Sequence, residues 1–195
     1  MMLDRKILLV LVPLLLLQGC GQAETSSETT TVNENSEFST ALKGEKESWL
    51  NALNQARAEA RDCHDGAGMV GPSMPLRWNS ELYAAAYEHS YDMAMSDTFS
   101  HYGSGTQWDI TGSNNGGRSY FYERIESNGY GTYHTLGENI AGGQESIEEV
   151  MEAWLESPGH CANIMNGNFT EVGIAVVTEP DTTFGIYWTQ NFGSR

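Results

Sequence analysis

Residues 152–165 read EAWLESPGHCANIM, and the fold turns on how this stretch is parsed. Upstream of its break, Ile147, Val150, Met151, Trp154 and Leu155 recur at offsets of 0, 3, 4, 7 and 8. That is the apolar stripe of an amphipathic helix facing a core. Ser146 stands three residues before Glu149, the spacing of a capping box at the helix start. Pro158 has no amide to continue the ladder and disfavours helical geometry at the residue before it, so the helix stops and the chain turns. His160 and Cys161 follow at once. Such a place either does chemistry or holds the fold together, and the two residues can divide those jobs.

Working outward toward the C-terminus, EVGIAVVTEP and TFGIYWTQNFG are two runs rich in β-branched and aromatic residues, separated by a turn at Glu179 to Thr182. They predict an antiparallel hairpin. Toward the N-terminus, HTLGENIAGG is punctuated by glycine and reads as loop, while RSYFYERIESNGY reads as a short helix ended by Asn128 and Gly129. SHYGSGTQWDITGSNNGG after Phe99 reads as a long loop. A helix over 80–96 is predicted, capped by Asn79 or Ser80, with Leu82, Ala86, His89 and Met93 on one face and His89 therefore a packed core residue. A short extended piece precedes it near Leu76 to Trp78. A first helix is predicted over 45–62 from Trp49, Leu53, Ala56, Ala60 and Cys63. Helices come first, strands close the domain, and no regular strand–helix alternation appears. The expectation is an α+β fold with helices packed over a central antiparallel sheet.

Residues 1–20, MMLDRKILLVLVPLLLLQGC, pair Arg5 and Lys6 with an apolar run from Ile7 to Leu17 that is too short to span a bilayer. This is the pattern of an export signal. Its end, Leu17-Gln18-Gly19-Cys20, resembles a bacterial lipobox, in which the cysteine is acylated and becomes the first residue after cleavage. The alternative is an ordinary signal cut slightly later. Residues 21–44 are rich in Ser, Thr, Glu and Asn, too poor in large apolar groups to offset ordering entropy, and are expected to form a disordered polar tether to a domain at 45–195.

With 26 acidic against 10 basic residues, the formal charge is −16. A surface this acidic argues against nucleic acid and against electrostatic adhesion to anionic lipid. Membrane attachment would be by an N-terminal acyl chain only. With Cys20 assigned to lipid, Cys63 and Cys161 remain, and an exported protein can keep a disulfide. Parity favours one bridge over two free thiols.

His101 in FSHYG, Glu138 in GENIAGG and His160 in SPGHC all fall beside predicted helix ends. Two imidazoles and a carboxylate are the ligand set of many zinc sites. Taken singly, each is more commonly a surface or hydrogen-bonded residue. Neither HExxH nor GxSxG occurs, so the common zinc-protease and serine-hydrolase mechanisms have no sequence basis. DITGSNNGG lacks the glycine and the acid that an EF-hand needs. Trp108, Tyr120, Phe121 and Tyr122 are candidates for a groove lining or for core.

The stretches PLRWNSELYAAAYEHSYDMA, FSHYG, GENIAGG, AWLESPGHCANIM, EVGIAV and YWTQNFG, in this order from about Trp49 to Gly193, resemble the CAP superfamily of cysteine-rich secretory, antigen 5 and pathogenesis-related proteins, in its bacterial secreted form. The resemblance implies an α-β-α sandwich with a central cleft lined in many members by two histidines and two acids able to hold a divalent metal. Carried over, the histidines are His101 and His160 and the first acid is Glu138. The second acid is missing: its position is Ser157, with Glu156 one place early and about 100° away around a helix. The resemblance also implies binding of sterol or lipid and occasional proteolysis, with no one shared reaction. The functional expectation is a lipid-anchored, extracytoplasmic binding or interaction module of the cell envelope, not an enzyme. Its cleft takes a small apolar, lipid or glycan ligand or an envelope protein, with zinc the candidate metal. The rivals are a hydrolase in which Glu138 with His101 and His160 activates water, and a structural envelope component.

Overall fold

The computed structural model describes residues 34–195 in backbone, and side chains from 45 onward. The export signal, Cys20 and most of the tether lie outside the described residues. In chain order the elements are α1 (Glu34–Arg57), β1 (Arg61–Asp62), β2 (Met69–Val70), β3 (Arg77–Trp78), α2 (Ser80–Ser96), α3 (Ile110–Asn115), α4 (Phe121–Ser127), β4 (Thr135–Gly142), α5 (Ile147–Glu156), α6 (Pro158–Met165), β5 (Glu171–Thr178) and β6 (Ile186–Ser194).

The C-terminal hairpin is present: β5 and β6 pair antiparallel from Glu171↔Gly193 to Thr178↔Ile186. They are the middle of a sheet ordered β3-β5-β6-β4, in which β3 adds in parallel and β4 is an antiparallel edge strand. GENIAGG is therefore a strand and not a loop. Its glycines and polar residues have poor strand propensity, but pairing along β6 and burial on both faces override that preference.

Period two along the strands divides the core into two layers. Val172, Ile174, Trp188, Phe192 and Ala141 face one way, against Trp49 and Leu53 of α1, Val150, Met151 and Trp154 of α5, and Ile164 and Met165 of α6. Ile140 and Tyr187 face the other way, against Met93 and Ala94 of α2. Leu136 extends this second layer, packing on Leu82, Ala85, Ile125 and Tyr130. The sheet is thus sandwiched between helices. Close approach of α2 depends on Gly173, where an added Cβ would lie 2.0 Å from the Tyr83 amide nitrogen.

The local reasons for the helices are legible. Asn79 caps α2, its Oδ1 accepting from the amides of Glu81 and Leu82. Ser146 caps α5 by accepting from the Glu149 amide, while the Glu149 carboxylate reaches one residue further back, to the amide of Glu145. The first helix ends at Arg57, earlier than the periodicity predicts, because the buried Arg57 guanidinium turns onto the carbonyls of Met74, Ile164 and Asn166. Its backbone starts inside the segment expected as tether. The expected loop after Phe99 contains α3, capped by Asp109.

Pro158 does stop α5, but it also starts α6: a proline at the first helical position forfeits an amide that would have no partner there anyway. His160 and Cys161 therefore ride on the first turn of a new helix rather than on a loop. Cys161 is bonded to Cys63, a bridge closing 98 positions of chain with Cα atoms 5.5 Å apart. It ties α6 to the segment that follows α1.

Candidate functional site

β4 carries the site because its successive residues do different work. Asn139 faces α6, its Nδ2 donating to the His160 carbonyl at 3.2 Å and to Gln190 Oε1 at 3.0 Å. The Ile140 carbonyl accepts from Trp154 Nε1 at 3.0 Å, fastening α5. Glu138 faces the other way and lies at the floor of an open hollow of about 390 Å³, lined also by His101, Tyr102, Tyr120, Phe121, Leu136, Gly137 and Asn163. This is the unpaired edge of the sheet, where the two helical layers meet.

The structure brings His101 and Glu138 together. His101 Nδ1 lies 2.9 Å from Glu138 Oε1, and Arg124 Nη2 donates to Oε2 at 2.8 Å. Glu138 and Arg124 are both buried, whereas the His101 side chain is 50% exposed. Burial alone would push the Glu138 carboxyl up, but the Arg124 guanidinium, with His89 and the hydrogen bonds, outweighs it and holds the carboxyl at about 2. A carboxylate only accepts, so the proton of the shared bond sits on His101 Nδ1. In its neutral form His101 then presents Nε2 as an acceptor.

The backbone of His101 is clamped on both sides. Arg124 Nη2 donates to the His101 carbonyl at 3.0 Å, and His89 Nε2 donates to the Ser100 carbonyl at 2.8 Å. His89 is a core residue, as its helical face predicts, yet it also stands 4.0 Å from Glu138 Oε1. Its burial pushes the imidazole down to about 4, which keeps it neutral.

His160 is half-buried, with its ring centroid 6.5 Å from that of His101. Burial, and then the neighbouring His101, lower its pKa below the ordinary imidazole value. It flanks the hollow without being one of its lining residues. Glu156 does not replace the missing second acid. It is exposed and borders a separate depression with Gly142, Gln144, Glu149 and Glu152. Tyr120 and Phe121 do line the hollow, and Tyr102, Tyr120 and Tyr122 form a chain of ring contacts at its rim. Trp108 lies elsewhere, against Tyr91.

A metal fits this arrangement poorly. Both oxygens of Glu138 are engaged, and among the described residues no three His, Cys, Asp or Glu side chains are grouped as a metal would need. For the same reason Glu138 is a weak base for water: it is ion-paired and holds its proton only near pH 2. Arg124 and His89 are the residues that sequence reasoning missed here. Arg124 had no signal beyond its place on a short helix. His89 is read correctly as core, but its proximity to Glu138 is a tertiary fact.

The sandwich, the histidine pair and the buried glutamate belong together. The chain belongs to the CAP family, the cysteine-rich secretory protein family, whose sequence model matches residues 50–192. The uncharacterized protein YkwD of Bacillus subtilis (strain 168) is 37% identical over 118 residues, 60% of this chain and 39% of that protein. The uncharacterized membrane protein YlbC of the same organism is 30% identical over 124 residues, 62% of this chain and 29% of that one. The chain thus matches well under half the length of either relative. The crystal structure of an extracellular protein containing an SCP domain, from Bacillus anthracis str. Ames, superposes with a TM-score of 0.58 at 24% identity, covering 78% of this chain and 41% of that one. That likeness is one of fold.

Proposed function

We propose that this is an extracytoplasmic ligand-binding module whose cleft takes a hydroxyl-bearing ligand with a flat or apolar body. The observation that carries the reading is the fixing of His101, a residue that lines the open hollow: Glu138, itself held by Arg124, engages Nδ1 and leaves Nε2 to accept. Tyr120 and Phe121 offer the apolar wall. Among the described residues no Ser, Thr or Cys lines the hollow, which favours binding over nucleophilic catalysis. A disulfide supports an oxidising compartment, and among the described residues no helix is long and apolar enough to cross a membrane. Attachment through an acyl group on Cys20 completes the proposal. Its check is labelling with a palmitate analogue, which Cys20→Ser abolishes.

The test of the cleft is NMR titration with a sterol, a fatty alcohol and an oligosaccharide, each beside an analogue lacking the hydroxyl. The reading expects shifts at His101 and Tyr120 with a hydroxylated compound, weakened by His101→Ala. Shifts that do not distinguish the hydroxyl from its analogue would contradict it.

The same pair supports a second reading. An imidazole oriented by a buried carboxylate is the geometry of a general base, and here the base is His101 rather than Glu138. Turnover of peptide or ester substrates that disappears in His101→Ala would move the protein into the hydrolase class.

A zinc ion, on this arrangement, has two imidazole nitrogens and no free carboxylate to bind. Calorimetry with zinc on wild type, His101→Ala, His160→Ala and Glu138→Gln separates that weak two-nitrogen site from none.

A further inference from the structure

Away from the cleft, α2 carries Tyr83, Tyr87 and Tyr91 at intervals of four residues, a spacing that rises about 6 Å per step along a helix. Their rings form an unbroken line with Trp78 of β3 at one end and Trp108, before α3, at the other. Successive centroids are 5.5, 6.4, 6.1 and 5.9 Å apart. From Trp78 to Tyr91 the interplanar angles are 37°, 36° and 17°, so the four rings change direction only gradually. Tyr87 is 47% exposed.

Two hollows follow this line and share Tyr83. One, of about 280 Å³, is lined by Trp49, Trp78 and Tyr83 with Glu45 and Lys46 at its mouth. The other, of about 620 Å³, is lined by Tyr83, Tyr87 and Tyr91 with Thr111, Asn114, Ser127 and Asn128 opposite. The charges along the track cancel or are engaged. Lys46 sits 5.5 Å over the Trp78 ring beside Glu45. The oxygens of Glu88 accept from the Thr111 amide and from Asn128 Nδ2.

We infer that the Trp78–Tyr83–Tyr87–Tyr91–Trp108 track is a binding site for an uncharged glycan chain. A line of aromatic rings, with Tyr87 exposed at its middle, offers sugar C–H groups repeated apolar contact at a step comparable with one sugar ring. The hydroxyls and amides beside it both donate and accept, as sugar hydroxyls require. A polyanion is repelled by a chain of formal charge −16. A proline-rich peptide also docks on aromatic tracks, but its proline backbone offers only acceptors, which leaves the exposed acceptors of Asn114 and Ser127 unused. The site is independent of the His101 cleft.

The test is fluorescence titration of the purified protein with two neutral probes, the β-1,4-linked hexamers of glucose and of N-acetylglucosamine, beside heparin and a polyproline peptide. Saturable binding of at least one neutral hexamer, unmoved by added salt, is the expected result. Tyr87→Ala and Tyr91→Ala each weaken it about five- to tenfold, the worth of one ring contact. Tyr87→Phe keeps the ring and stays within about twofold of wild type. Binding of neither hexamer at millimolar concentration, binding indifferent to both alanine variants, or binding of the peptide or heparin in their place overturns the inference.

Discussion

Glu138 positions His101 rather than competing with it for a ligand: the 2.9 Å contact to Nδ1 uses one carboxylate oxygen, and Arg124 takes the other at 2.8 Å. The carboxylate is buried and charged, so its partners decide both the stability of the edge strand and the chemistry left to the exposed imidazole.

Arg124→Met leaves Glu138 charged in the interior without its guanidinium partner, the His101 hydrogen bond remaining. Removing one partner of a buried pair costs about 3 to 5 kcal/mol, read as a fall in urea unfolding free energy at pH 7. Adding Glu138→Gln should restore part of that loss, because the two effects share one interaction. A cost under about 1 kcal/mol for Arg124→Met would mean the pair is solvated.

Stability should fall in acid in two steps. His89 titrates at about 4 in the folded protein and near 6.5 unfolded. Between those values the unfolded chain binds a proton that the native protein does not. The His89 contribution is therefore complete above about 6.5 and lost by about 4, worth about 3 kcal/mol. Glu138 titrates at about 2 folded against about 4.3 unfolded, so its contribution is present above about 4.3 and lost as pH falls toward 2. Denaturation followed from pH 7 to pH 2 should show both steps, and His89→Gln should flatten the first.

Reduction of Cys63–Cys161 should destabilise the domain by about 2 to 5 kcal/mol, measured by guanidinium unfolding with and without reductant. His160, one residue before the bridge, should lose order at the same time. An unchanged midpoint would show the bridge to be dispensable.

Arg57→Met should cost at least about 3 kcal/mol, since it strips hydrogen bonds from the carbonyls of Met74, Ile164 and Asn166 together. The guanidinium remains charged at neutral pH, although burial lowers it to about 10. Thermal unfolding of the variant checks this.

Periodic segments were legible in sequence. The α2 boundaries, the α5 stripe, the β5–β6 hairpin and the Cys63–Cys161 pairing all have local signals or simple parity, and the structure has each of them. β4 was not legible, because GENIAGG becomes a strand only through β6 beside it and helices on both faces. The two roles of Pro158, ending α5 and starting α6, depend on where the chain goes next. His101, Glu138 and His160 could be named from motifs, but Arg124 could not: its partner lies 14 positions away, and neither residue's neighbours suggest a buried ion pair. The aromatic line of Trp78, Tyr83, Tyr87, Tyr91 and Trp108 emerges only in the structure, which brings β3 and the segment before α3 to the two ends of one face of α2.

The central claim is that Glu138 orients His101 with Nε2 free to accept. Long-range ¹H–¹⁵N NMR of the His101 ring at pH 7 tests it directly. The account predicts the tautomer protonated at Nδ1 and bare at Nε2, with that preference lost in Glu138→Ala. A ring protonated at Nε2, or one indifferent to the loss of Glu138, would contradict it.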